Sequence, residues 1–153
     1  MLEKGKRVPK LDATLQDGSL LKDAELRRSW LVLFFYPKDA TSGCTSEAQD
    51  FRDLHDKFVA AGARIVGVSR DSPASHIRFI EKQSLPFDLI ADVDETWCKA
   101  YDVIAEKQLY GRRYMGVVRS TFLIDPKGVL AESWTKVKVP GHAEAVLARL
   151  AES

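Results

Sequence analysis

Unbroken apolar runs alternate along this chain with stretches whose apolar residues return every three or four positions. Residues 30–36 are apolar throughout, which predicts a strand buried on both faces, as in a sheet covered by helices. Pro37 ends it. From Cys44 to about Ala61, the residues Ala48, Phe51, Leu54 and Phe58 recur at helical steps, predicting one amphipathic helix that Gly62 closes. Residues 65–68 predict a second buried strand. Ser72-Pro73 opens a helix, with Ser as cap and Pro at the first helical position, and Ile77 and Ile80 supply its apolar face. A short strand over 87–91 and a short helix over 95–101 follow. Residues 117–124 predict a third strong strand, Asp125-Pro126-Lys127-Gly128 a turn, and 129–134 its hairpin partner. Ala143, Val146, Leu147 and Leu150 mark a last helix after Gly141. Near the start, Asp17-Gly18 between short apolar pairs is a hairpin signal. The polar stretch 105–116 reads as a surface loop. Alternating strands and helices predict an α/β layered domain, and the closing hairpin makes its sheet mixed.

Length and charge narrow the function. The 153 residues suit one domain, expected to span 1–153, with no linker or repeat. A net charge of +1 argues against a strongly basic nucleic-acid binder. No apolar run approaches the roughly 20 residues of a membrane span. Residues 1–12 carry no apolar stretch of the secretory kind, so the expected compartment is the reducing cytoplasm. Two cysteines, Cys44 and Cys98, do not make a disulfide scaffold. With scattered His55, His76 and His142 they also argue against a structural zinc site.

Cys44 sits where a buried strand meets an amphipathic helix, and sites in open α/β sheets gather at the carboxyl ends of strands. Free N–H groups and the positive end of the helix dipole favour a thiolate there. The competing reading is a cysteine packed as a small hydrophobe. Its neighbours, Thr41, Ser42, Gly43 and Thr45, are not those of a core run. No second cysteine stands at Thr41 or Glu47, so there is no C-x-x-C dithiol, and Asp50 stands where a phosphatase loop needs Arg. What remains is a thiolate with a hydroxyl, Thr41, three residues before it. Peroxide reduction needs these parts: the Thr41 hydroxyl and backbone N–H groups near Gly43 and Cys44 can donate to the peroxide oxygens, and a cation can stabilise both the thiolate and the leaving oxygen. Arg119 interrupts the apolar run 117–124 and is the candidate cation; Cys44 and Glu47 are its candidate anionic partners.

Pro37-x-x-x-Thr41-x-x-Cys44 after a hydrophobic strand resembles the active-site motif of peroxiredoxins. The blocks at 34–39 and 110–125 resemble the bacterioferritin-comigratory-protein (Q-type) subfamily, and the similarity runs from about Leu11 to the C-terminus. The resemblance implies a thioredoxin-like fold. It implies that Cys44 is the peroxidatic cysteine, Thr41 and Arg119 its activating pair, Pro37 a shield over the thiolate and Glu47 the carboxylate that orients Arg119. No cofactor and no metal are expected.

Two departures shape the expected cycle. Ser42 stands where Q-type members commonly have Pro. Gln49 stands where many carry a resolving cysteine, five residues past the first. Five helical residues rise about 7.5 Å, beyond the roughly 7 Å Cα limit of a disulfide, so relatives must unwind this helix to close the bond. Cys98, in a short helix, reads as a packed residue. The expected cycle uses one cysteine: Cys44 becomes a sulfenic acid, and an external thiol, from thioredoxin or from glutathione with glutaredoxin, reduces it. Alternatives are a peroxide sensor or relay, a cycle resolved by Cys98, and a non-enzymatic holdase. Neither nucleic acid nor membrane is an expected partner, and the expected state is a monomer or weak homodimer.

Overall fold

The computed structural model describes residues 2–153; Met1, where the expected domain and the expected leaderless stretch begin, lies outside them. In chain order the elements are β1 (Ala13–Thr14), β2 (Leu20–Leu21), α1 (Asp23–Leu26), β3 (Trp30–Phe35), α2 (Ser42–Asp53), α3 (His55–Ala60), β4 (Ala63–Ser69) and α4 (Pro73–Gln83). There follow β5 (Asp88–Ala91), α5 (Thr96–Ala100), β6 (Ile104–Leu109), β7 (Arg112–Val117), β8 (Ser120–Ile124), β9 (Leu130–Trp134) and α6 (His142–Ala151).

Five strands form the central sheet in the order β5-β4-β3-β8-β9. β3, β4 and β5 run parallel, while β8 and β9 run antiparallel to their neighbours, so the sheet is mixed as expected. The expected N-terminal hairpin forms, with Ala13 opposite Leu21 across β1 and β2.

Alternation along β3 builds two cores. Leu31, Leu33 and Phe35 point to one face, where Trp97, Cys98 and Tyr101 of the α5 region and Val8, Leu15 and Leu26 cover them. Val32 and Phe34 point to the other, with Tyr36 beyond the strand, against Cys44, Ala48 and Phe51 of α2, Phe79 of α4 and Val146 of α6. An apolar residue at every position of β3 is thus explained by helices on both faces.

Four expectations from the sequence differ from the fold, one being the single strand over 117–124, which the chain breaks at Val118 and Arg119. The helix expected over 44–61 breaks at Leu54 into α2 and α3, because the apolar spacing runs through the break and hides it. On α4 the buried residues are His76 and Phe79, with Ile80 packed at the edge; Ile77 is exposed. The expected loop 105–116 is the hairpin β6–β7, whose ladder runs from Ile104 opposite Val117 to Leu109 opposite Arg112. Its two-residue turn, Tyr110-Gly111, has positive φ at both positions (52° and 77°), the backbone of a hairpin turn. Among the described residues no helix is long and apolar enough to cross a membrane.

Candidate active site

The carboxyl end of β3 positions the site. Phe35, the last residue of β3, pairs with Ser120, the first of β8, so Arg119 lies beside the point where the chain leaves the sheet through Tyr36 and Pro37. Residues 117–124 are not one strand, as expected, but two. Val118 and Arg119 form the break between them. A guanidinium cannot sit in an apolar ladder without a partner, and the break turns it toward α2. The backbone there is pinned, with Val118 N–H donating to Val103 O (2.6 Å) and Val137 N–H to Arg119 O (3.0 Å).

Cys44 is the third residue of α2 and is buried. Thr41 flanks the helix start with extended backbone, but its hydroxyl donates to Lys38 O (2.8 Å) instead of capping the first turn. The first-turn N–H groups of Gly43 and Cys44 therefore have no side-chain cap and remain available to an anion. Ala40, before Thr41, has φ +62°, a conformation that costs an L-residue other than glycine about 1–2 kcal/mol.

One guanidinium joins the parts. Arg119 Nη2 donates to Cys44 Sγ (3.4 Å) and Nη1 to Glu47 Oε1 (2.7 Å). Glu47 lies three residues past Cys44, on the same side of α2. Gly43 makes room, because a Cβ there would stand 3.2 Å from Arg119 Nη2. Burial works against the charge on Arg119, but Glu47 and Cys44 outweigh it and hold its pKa above the ordinary value. Glu47 is 1% exposed, and burial raises its carboxyl to about 7 against the lowering pull of Arg119. Among the described residues, Glu47 Oε2 is the buried side-chain oxygen left without a hydrogen-bond partner. The hairpin adds a second cation. Lys107 of β6 is half-buried and donates to Val117 O (2.5 Å). Burial, then Arg119 and Arg70, lower its pKa, while Cys44 opposes them.

Of the five residues singled out in the sequence, Cys44, Arg119 and Glu47 are in contact. Thr41 and half-buried Pro37 belong to the loop that delivers Cys44. The expectation that Thr41 donates a hydrogen to the reacting oxygens changes in this geometry: its hydrogen is engaged by Lys38 O, leaving its lone pairs free to accept. Neither the need for a residue without a side chain at Gly43 nor Lys107 was singled out. The glycine's reason is a contact with a residue distant in sequence, and the lysine lies in the misread hairpin.

The other thiol is set apart. Cys98 packs in the core on the opposite face of the sheet from Cys44. Burial pushes its thiol far above the ordinary range, and hydrogen bonding to Asp92 and the charge of that carboxylate add to the shift. Asp92 also accepts from the N–H groups of Trp97 (2.9 Å) and Cys98 (2.8 Å), fixing the start of α5. Gln49 donates to Gln83 Oε1 (2.8 Å), and Arg52 to Gln83 O (2.8 Å), tying α2 to the end of α4.

Residues 4–133 match the AhpC/TSA family. The chain is 55% identical over 121 residues to peroxiredoxin Bcp of Xanthomonas campestris pv. campestris, covering 79% of this chain and 76% of that one. It is 44% identical over 149 residues to peroxiredoxin Bcp of Bacillus subtilis, covering 97% and 95%. Among solved structures, Xanthomonas campestris peroxiredoxin Q superposes with a TM-score of 0.88 at 49% identity, covering 93% of this chain and 90% of that one. A cysteine-to-serine variant of Xylella fastidiosa PrxQ superposes with a TM-score of 0.94 at 40% identity, covering 99% and 97%. The fold is thioredoxin-like, as the resemblance implied. With a thiol in the first turn of the helix that follows the central strand and likeness along nearly its whole length, the chain belongs to the AhpC/TSA family as a peroxiredoxin of the Bcp/PrxQ type, a thiol peroxidase.

Proposed function

We propose that this chain reduces hydrogen peroxide and alkyl hydroperoxides at Cys44 and is recycled by a thiol from outside the chain. One observation carries the reading: Arg119 donates at once to Cys44 Sγ and to buried Glu47. The Xanthomonas campestris bacterioferritin comigratory protein, a 48% identical relative, has alkyl peroxide reduction activity.

In the first step the Cys44 thiolate attacks the distal peroxide oxygen. An S–O bond forms and the O–O bond breaks; sulfur loses two electrons and the peroxide gains them. Cys44 becomes a sulfenic acid, and the departing alkoxide or hydroxide takes a proton from water. Arg119 and the N–H groups of Gly43 and Cys44 stabilise charge on sulfur and the leaving oxygen. Thr41 accepts a hydrogen bond from the substrate O–H, Pro37 shields the sulfur, and Glu47 aims Arg119. An external thiol then attacks the sulfenic acid, releasing water and leaving a mixed disulfide. A second thiol attacks the sulfur of the first, displacing the Cys44 thiolate, so Cys44 is restored and the two external thiols leave joined as a disulfide.

The position of Cys98 supports a one-cysteine cycle. A resolving thiol must ionise and reach sulfur, whereas Cys98 is buried across the sheet beside a carboxylate. In this reading residues 1–153 act as one domain, monomeric or weakly dimeric, in the cytoplasm. Steady-state peroxidase assays with thioredoxin, with glutathione and glutaredoxin, and with small thiols test it. Cys44→Ser is expected to abolish turnover and Cys98→Ser to keep it. Loss of recycling in Cys98→Ser would assign the resolving role to Cys98; oxidation of Cys44 without turnover on any of these reductants would favour a relay.

A further inference from the structure

The loop that delivers Cys44 is held from behind by a buried polar network. Tyr36 OH donates to Asp39 Oδ1 (2.6 Å), and Ser75 Oγ donates to Asp39 Oδ2 (2.9 Å). His76 Nδ1 lies 2.7 Å from the same Oδ2. The backbone N–H of Asp39 donates to Asp71 Oδ2 (2.9 Å), which also accepts from Ser69 Oγ. The ring of His76 is fully buried, and its Nε2 lies 2.9 Å from Ile90 O on β5.

These contacts locate the protons. A carbonyl oxygen only accepts, so Nε2 carries a hydrogen. One proton remains between Nδ1 and Oδ2. Both Asp39 oxygens already accept, from Tyr36 and Ser75, as an acceptor-only carboxylate does, and the remaining proton then sits on nitrogen. The phenol of Tyr36 is firmly protonated, because burial and then the charge of Asp39 raise its pKa. The titratable groups of this cluster are Asp39 from the loop, Asp71 beyond β4 and Tyr36 beyond β3; Arg78 and Lys82 line the cavity outside Asp39.

We propose that His76 is held as an imidazolium paired with Asp39, and that this buried pair is the positioning device of the Cys44 loop. Asp39 directly precedes Ala40, whose left-handed φ of +62° persists only when its neighbours are fixed. α2 fixes one side; Asp39, tied to Asp71 through its backbone and to His76 through its side chain, fixes the other. Without His76, Ala40 relaxes toward ordinary backbone, and Thr41 and the first turn of α2 shift relative to Arg119. The positioning half of this proposal rests on Cys44 as the reacting thiol; the protonation half does not. Asp39, Asp71 and His76 each bring one ligand-type atom within 4.8 Å of the others, but a cation there would need lone pairs that Tyr36, Ser75, Ser69 and the Asp39 N–H already engage.

Nitrogen-15 NMR of the full chain tests the charge. Two ring N–H signals from His76 at neutral pH are expected, unchanged by equimolar zinc. A single N–H signal, or loss of both on adding zinc, overturns it. Stopped-flow oxidation of Cys44 tests positioning. His76→Gln is expected to slow it about tenfold, within the range that small misplacements cost. Adding Ala40→Gly is expected to restore most of the rate, because glycine holds a positive φ unaided. An unchanged rate in His76→Gln, or no recovery in the double variant, overturns positioning. Should His76→Gln not fold, Tyr36→Phe, which removes one donor to Asp39, is expected to slow oxidation two- to threefold, and an unchanged rate there overturns positioning too. If Cys44 of the unaltered protein does not oxidise, the proposed function fails, while the NMR result on His76 stands by itself.

Discussion

At the scale of single residues, Arg119 ties the site together, because it contacts both the sulfur and the buried carboxylate. Arg119→Lys keeps the charge but loses the fork that reaches two partners. We expect it to lower kcat/KM for peroxide on the order of 10²-fold, the scale of one lost transition-state donor; stopped-flow traces of Cys44 oxidation measure this. Gly43→Ala tests the same contact from the other side. Alanine suits a helix better than glycine, yet its Cβ would meet Arg119 Nη2 at 3.2 Å. The expected result is an unchanged or higher Tm with slower oxidation, and lost stability without lost rate would contradict it. Arg119 was legible in the sequence because a charge stood in an apolar run. Gly43 and His76 were not, because their reasons are contacts with residues far along the chain, which no local pattern records.

At the scale of elements, the departure at Gln49 takes physical form. The bonds from Gln49 and Arg52 to Gln83 fasten α2 to α4 at the place where a helix resolving cysteine would require unwinding. We expect α2 amides to keep their hydrogen-exchange protection after Cys44 is oxidised. Loss of protection across Ser42–Asp53 in the oxidised protein would contradict this. The strands β3, β4 and β8 were legible because burial on both faces leaves nearly continuous apolar runs. The hairpin β6–β7 was not. Most of its side chains face solvent and its ladder is backbone, so the remaining clue was Gly111 in a two-residue turn.

At the scale of the whole molecule, the mixed α/β architecture followed from the order of patterns, and the separation of two cores by one sheet keeps the thiols apart. The same burial leaves a mark on stability. Glu47 is raised from 4.5 to about 7, so between these values the folded protein holds a proton that the unfolded chain has lost, and stability falls as pH rises. His142 is lowered from 6.5 to about 4 by burial and then by Arg119, so the unfolded chain binds the extra proton, and stability falls as pH drops through that window. The two trends oppose each other from 4.5 to 6.5. Glu47→Gln removes one of them. The variant is expected to match the unaltered protein near pH 4.5 and to exceed it above pH 7 by about 3 kcal/mol, at 1.36 kcal/mol per pKa unit. Urea unfolding at pH 5 and pH 8 checks this; an equal difference at both would contradict it.

In the proposed cycle Cys44 reacts, and the electrons that restore it come from outside the chain. Mass spectrometry of the protein after one equivalent of hydroperoxide, with a sulfenic-acid trap present, tests this most directly. The expected result is the trap on Cys44 and a free thiol at Cys98. A Cys44–Cys98 disulfide, within or between chains, or oxidation confined to Cys98, would contradict it.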